Sequence, residues 1–229
     1  MHALTPADIT AITLSLKVAV STTILTLPPG FLVAYLLART TFRGKAVIEG
    51  IVNLPLVLPP VVTGYLLLLL FGRNGWLGRF LGMFDISIIF TLKAAVIASA
   101  VVGFPLLVRA IRIGLESIDA QYIHAARSLG AGWWDSLFTI TVPLCSRAIF
   151  AGMTLMFARS LGEFGATIIL AGNMPGVTQT IPLAIFGYTS TPGGDAMALS
   201  LCLVSIALSF TVLLAGEAIN RSMARKVQR

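Results

Sequence analysis

HAARSLGAGWWDSLFTITVP, residues 124–143, interrupts a chain that is otherwise mostly apolar. It combines paired alanines, two glycines, an arginine, an aspartate and adjacent tryptophans, and it closes on a proline. Just upstream, Ser117 or Asp119 can accept backbone N–H bonds at a helix N-terminus. Gly130 can end that helix in the left-handed conformation that glycine takes at little cost. The pattern predicts a helix of about three turns over 120–129. Ala125 and Ala126 keep one of its faces low, so another surface can approach closely. Pro143 marks the start of the next apolar run. Two readings are open: a docking element, or an Ala-rich helix lying in a membrane interface with Trp133 and Trp134 at the headgroups.

Composition supplies the solvent. Of 229 residues, 57% are hydrophobic and 11% charged, against about 25% charged in a soluble domain. A soluble core could not hide so much apolar surface, so the fold class is all-α and polytopic in a bilayer. Five runs approach the roughly 20 apolar residues that a span needs: 9–38, 51–71, 86–108, 148–170 and 197–219. A sixth span requires the loop after Gly172 to re-enter the membrane. The N-terminus lacks a basic stretch and a cleavage site, so no cleaved signal peptide is expected. Cys145 and Cys202 read as small hydrophobes.

Eleven of the 16 basic residues fall on one side of this arrangement: Arg39, Arg43 and Lys45, then Arg109, Arg112, Arg127 and Arg147, then Arg221, Arg225, Lys226 and Arg229. By the positive-inside rule that side is cytoplasmic. The N-terminus is expected outside and the C-terminus inside. Residues 124–143 are then cytoplasmic, within the longest connection on that side, about 109–147. The excess of basic residues acts as a topology signal; scattered among apolar runs, it makes no nucleic-acid face.

The second run, NLPLVLPPVVTGY, sets Pro55, Pro59, Pro60, Thr63 and Gly64 inside one span. Proline removes backbone hydrogen bonds and bends helices. Broken backbone at membrane depth survives where protein or a water-filled cavity surrounds it. The span is expected to be kinked, either beside a translocation path or merely to improve packing. In ARSLGEFGATI, Arg159 and Glu163 are four apart, on one helix face. Arg159 lies about 18 Å deeper than Arg147 at 1.5 Å per residue. Ionisable groups at that depth pair and face the protein interior. The pair either helps an anion through an outer gate or locks two helices. The connection 171–195 is rich in turn residues and is expected outside, with a short helix at 181–188.

The opening stretch resembles the cytoplasmic loop of ABC-importer permeases, whose pattern is E-A-A, three residues, G, nine residues, I-x-L-P. Ala125, Ala126, Gly130, Ile140 and Pro143 match its spacing, while His124 replaces Glu and Val142 replaces Leu. More of the chain resembles the molybdate permeases of that group, through TTFRGKAVIEGIVNLPLVLPPVVTGYLLL, VVGFPLLVRAIRIGLESID, ARSLGEFGATI and QTIPLAIF. Sulfate/thiosulfate permeases share the outline. The resemblance implies a type I importer permease fold, with residues 1–229 as a single transmembrane permease domain and a coupling loop at 117–143. It implies that His124, Ala125, Ala126, Arg127, Gly130 and Pro143 couple to a separate ATPase. Pro59, Pro60, Thr63, Gly64, Arg159 and Glu163 are the candidate path or gate. The implied partners are a cytoplasmic ATP-binding subunit dimer, which holds the ATP and magnesium, and a periplasmic oxyanion-binding protein. The implied location is a bacterial inner membrane. Five spans are few for a full pathway, so a homodimer with the path on its two-fold axis is the simplest closed assembly.

Other functions find little support. No G-x-x-x-x-G-K-[ST] occurs, so no P-loop nucleotide site is expected on this chain. No H-E-x-x-H or Cys/His cluster offers a metal site, and His2 and His124 are poor catalytic candidates. An intramembrane enzyme would need clustered carboxylates or histidines, whereas the nine acidic residues are dispersed. A membrane scaffold with no pathway would leave the kinked second span and the deep Arg159 without a use.

Overall fold

The computed structural model describes residues 4–227, so His2 and Arg229 lie outside the described residues. In chain order the helices are α1 (Pro6–Arg39), α2 (Lys45–Val57), α3 (Pro60–Phe71), α4 (Trp76–Gly82), α5 (Leu92–Glu116), α6 (Ala120–Ser128) and α7 (Trp133–Ser136). A π-helical turn (Leu137–Thr141) follows, then α8 (Val142–Leu161), α9 (Gly165–Leu170), α10 (Ile181–Thr189) and α11 (Asp195–Val227). Among the described residues four helices are long and apolar enough to cross a membrane, and α2 with α3 makes a fifth crossing if the bent pair counts as one.

Helix α5 is the centre. Its N-terminal half buries Ala94, Ala95, Ala98 and Val102 against Val18 of α1, Leu67 of α3 and Ala166 of α9. Its C-terminal half buries Leu107, Val108, Ile111 and Leu115 against Leu37 of α1 and Met156 of α8. These positions recur every three to four residues, the period of one helix face. In lipid no hydrophobic force drives helices together, so close approach over small residues does the work. A side chain built on Gly114 would overlap the Ala148 methyl across the α5–α8 contact. Gly114→Leu is therefore expected to destabilise the fold by about 1–3 kcal/mol through overpacking. Thermal unfolding in detergent measures this, with Gly82→Ala as control, because nothing lies within 4 Å of a Cβ at Gly82. Equal midpoints would contradict the packing.

Three expectations need correction. The second span is not one kinked rod: α2 and α3 meet at 114° around Leu58 and Pro59. Consecutive prolines there remove two donors, and their rings exclude the preceding helical turn. The third span starts at Leu92 and runs to Glu116, later at both ends than 86–108. The fourth starts earlier and ends earlier, because Trp133–Leu161 is one continuous helix. Pro143 is the second residue of α8, as expected of the entry to the fourth span, but α7 and the π turn run straight into it, so the connection between long helices shrinks to 117–132. The widened π turn ends on the Val142 N–H bond to the Leu137 carbonyl, immediately before Pro143. That turn makes room for a ring lacking an N–H. The short helix expected at 181–188 forms as α10, Ile181–Thr189; at nine residues, roughly 13.5 Å, it does not cross a core of about 30 Å, so it does not make the sixth span that the sequence left open.

Candidate functional site: an exposed capped helix and a buried ion pair

Helix α6 forms where the sequence places it. Asp119 is its N-cap, accepting the Gln121 N–H at 2.9 Å. At the other end Gly130 takes φ +92°. The Gly130 N–H reaches the Arg127 carbonyl at 3.0 Å, and the Ala131 N–H reaches the Ala126 carbonyl at 3.0 Å. These two bonds define a Schellman motif, which satisfies the last carbonyls of the helix. No α6 residue is buried. Leu129, the C-cap, is 89% exposed. His124, Ala125 and Arg127 are exposed and Ala126 half-buried, on one short element. Pro143 is not brought to them; it sits at the foot of α8.

The base beneath α6 is tied. The Arg39 guanidinium donates to the Ile118 carbonyl at 3.4 Å. Arg112 bridges Glu49 of α2 and Glu116 of its own helix, each at 2.7 Å. The ends of α1, α2 and α5 are thus joined just before α6 leaves. An exposed helix on a tied base can transmit a push.

The second constellation lies at the α8–α9 break. Helix α8 ends at Leu161, so Glu163 stands beyond it and not on its face as the spacing suggests. The ion pair forms nevertheless, Arg159 Nη1 to Glu163 Oε2 at 2.6 Å. The other carboxylate oxygen, Oε1, accepts the Ala166 N–H at 2.8 Å. That N–H is one of the unpaired donors at the start of α9. Glu163 is 2% exposed and the Arg159 side chain 29%. Helix α9 packs in turn on α3: a Cβ on Gly165 would lie 2.8 Å from Pro60 Cβ, and one on Gly64 2.8 Å from Ala166 Cα. The two sets of candidate path residues therefore meet through α9. Pro60, Thr63 and Gly64 face that contact or lie beside it, with Thr63 and Gly64 buried, while Pro59 at the bend is exposed. Arg159 touches Glu163 through one nitrogen. Arg159→Lys is accordingly expected to keep the pair and assembly, with uptake the readout; a lost complex would show that the planar guanidinium is required.

A further set escaped the sequence reading. The connection after α9 is stitched to α1. Ser15 Oγ accepts the Ile181 N–H at 2.8 Å, and the Tyr188 hydroxyl donates to Asp8 Oδ1 at 2.7 Å. Burial, and then the bond to Asp8, hold the Tyr188 phenol above its ordinary pKa. Asp8 also closes a capping box with Thr5, a signal readable as T-x-x-D at the chain start. Ser15 gave no such signal, since its partner lies 166 residues away. Ser15→Ala leaves a buried N–H unpaired, a cost of about 1–3 kcal/mol. Faster hydrogen–deuterium exchange across α10 is the expected result; unchanged exchange would contradict the stitch.

Comparison with known proteins gives the family. The family described as "Binding-protein-dependent transport system inner membrane component" matches residues 30–225. The chain belongs to this family of inner-membrane transport components. It is 52% identical over 221 residues to the molybdenum transport system permease protein ModB of Haemophilus influenzae, covering 96% of each chain. It is 49% identical over 227 residues to the Escherichia coli K12 protein of the same description, covering 99% of each. The E. coli sulfate transport system permease protein CysT is more distant, 37% identical over 186 residues, covering 80% of this chain and 67% of that one. Among solved structures, a bacterial ABC transporter that imports alginate superposes with a TM-score of 0.76 at 16% identity, covering 96% of this chain and 80% of that one. The MetNI methionine ABC transporter superposes at 0.72 and 18% identity, covering 93% and 94%. The expected fold, that of ABC-importer permeases, is the fold found. The chain is a transporter permease of the inner membrane, as the permease relatives above are.

Proposed function

We propose that this chain is the membrane permease of an ATP-driven importer that moves molybdate, or its near-isostere tungstate, into the cytoplasm. The observation that carries the substrate is the near full-length likeness to molybdenum permeases at about half identity. Two copies form the pathway around a two-fold axis, since the described residues of one chain offer at most five crossings. A dimer of ATP-binding subunits, which holds the ATP and magnesium, docks on α6 from the cytoplasm. The exposure of α6 and its glycine-capped end support that role. The N-terminus lies outside and the C-terminus inside, as the basic residues direct. A periplasmic oxyanion-binding protein then meets the outer connection 171–195. The α3–α9 contact, pinned by Glu163 and Arg159, lies beside the path and moves as the dimer alternates between outward-open and inward-open forms. His124 replaces the family's glutamate, so coupling rests on the shape of α6 and not on a carboxylate there. Reconstitution with the ATPase and binding protein tests the proposal. ATP-dependent uptake of molybdate that sulfate does not compete away is the expected result. Uptake of sulfate in preference would keep the class and replace the substrate.

A further inference from the structure

The α5–α8 contact carries two hydroxyls that the fold does not use. The two helices run antiparallel: Gly114 meets Ala148, Leu107 meets Gly152, and Gly103 meets the Met156 thioether. Four residues beyond that last contact on each helix, about one turn, Ser99 of α5 and Ser160 of α8 come level with each other. Ser99 is 2% exposed and Ser160 5%. Neither hydroxyl oxygen has a hydrogen-bond partner among the described residues. Other helical hydroxyls of this chain bond the carbonyl four residues back, Thr23 to Ala19, Thr26 to Thr22 and Thr154 to Phe150. A buried hydroxyl left unpaired costs stability, so these two call for another use.

Arg159 adjoins them. It precedes Ser160, and its stem lies over Gly103, where a Cβ would be 3.8 Å from Arg159 Cγ. The guanidinium gives Nη1 to Glu163 and has no further bond among the described residues. The Arg159 side chain is half-buried and Glu163 fully covered, so the carboxylate is hidden while the remaining N–H donors stay open. Gly162, between the two, is exposed, with nothing within 4 Å of a Cβ. A cation with open donors at this depth faces water or an anion, because lipid cannot satisfy it.

We infer that Arg159, Ser160 and Ser99 form a transit site for a tetrahedral oxyanion within the membrane. The donor set selects the occupant. A guanidinium edge and two hydroxyls offer N–H and O–H groups converging from two helices, and a tetrahedral oxyanion accepts from every side. Glu163 sets the strength. By neutralising Arg159 it keeps the site weak, and a transit site must release what it takes. The serines are covered in this structure, so the site is closed behind its arginine. The anion meets the open guanidinium edge first, and the hydroxyls join as α5 and α8 part during the cycle. The inference rests on the oxyanion-import reading above and adds the residues that take the anion across.

The test uses proteoliposomes that hold the full complex of this chain, its ATPase and the loaded binding protein. Maximal uptake of radiolabelled molybdate and the thermal unfolding midpoint are measured for the parent, Ser99→Ala, Ser160→Ala and the double variant. Alanine removes an unpaired hydroxyl, so the midpoint is expected to hold or rise. Uptake is expected to fall roughly tenfold for each serine removed, the loss of a hydrogen bond to a charged group. Parent-like uptake in the double variant would overturn the site. A fall in uptake that only follows a lowered midpoint would also overturn it, by making the serines structural. Radiolabelled sulfate is run in parallel. Parent uptake of sulfate and not molybdate, with the same losses in the variants, would uphold the site and replace the substrate. Parent vesicles that carry neither anion would remove the import reading and the site with it.

Discussion

Replacing Gly130 with valine is expected to uncouple ATP hydrolysis from transport while the chain still inserts and assembles. Gly130 sits at φ +92°, and nothing lies within 4 Å of a Cβ placed there. The substitution therefore meets no obstacle in space and acts on backbone conformation alone. The left-handed region costs an ordinary residue about 1–2 kcal/mol, and a β-branched one more. Valine either strains the two Schellman bonds or releases them, and the end of α6 at Leu129 shifts or frays. A shift of 1–2 kcal/mol corresponds to about a fivefold to thirtyfold fall in the population of the competent end. The measurement is stimulation of the ATPase by loaded binding protein in the reconstituted complex. Gly130→Asn, which tolerates φ > 0 better, is expected to fall between parent and valine. Full stimulation in Gly130→Val would remove the role assigned to the cap.

The second large effect is at Arg159. Removing one partner of a buried pair costs about 3–5 kcal/mol, because the remaining charge is stranded. Arg159→Leu leaves the Glu163 carboxylate, 2% exposed, holding only the Ala166 N–H. Low yield and a lowered unfolding midpoint are expected. The double variant Arg159→Leu/Glu163→Gln removes both charges and keeps an acceptor for Ala166. If the pair is a structural lock between α8 and α9, the double variant recovers most of the stability and most of the uptake. If Arg159 also attracts the anion, stability returns and uptake does not. Failure of the double variant to recover stability would show that the pair does more than neutralise itself.

What the sequence disclosed follows from how local each signal is. The α6 helix was legible to within a residue, because Asp119 and Gly130 act on their immediate neighbours. The Arg159–Glu163 pair was legible from spacing and depth, although the helix ends at Leu161 and the pair closes across the break. The prolines at 59 and 60 announced a bend but not its 114°, which depends on α9 packing against Gly64. The π turn at Leu137–Thr141 was hidden, since only the strain imposed by Pro143 on a continuous helix calls for it. The bond from Ile181 to Ser15 was beyond any local rule. Apolar runs located the spans well and their ends poorly, because helices continue past the apolar region into polar caps such as Glu116.

The central claim is that this chain is an oxyanion permease driven by a separate ATPase. Affinity purification of the tagged chain from its native membranes in mild detergent, with partners identified by mass spectrometry, tests it most directly. The account predicts recovery of an ATP-binding subunit together with a periplasmic protein that retains molybdenum. Recovery of the chain alone, under conditions that preserve other membrane complexes, would contradict it.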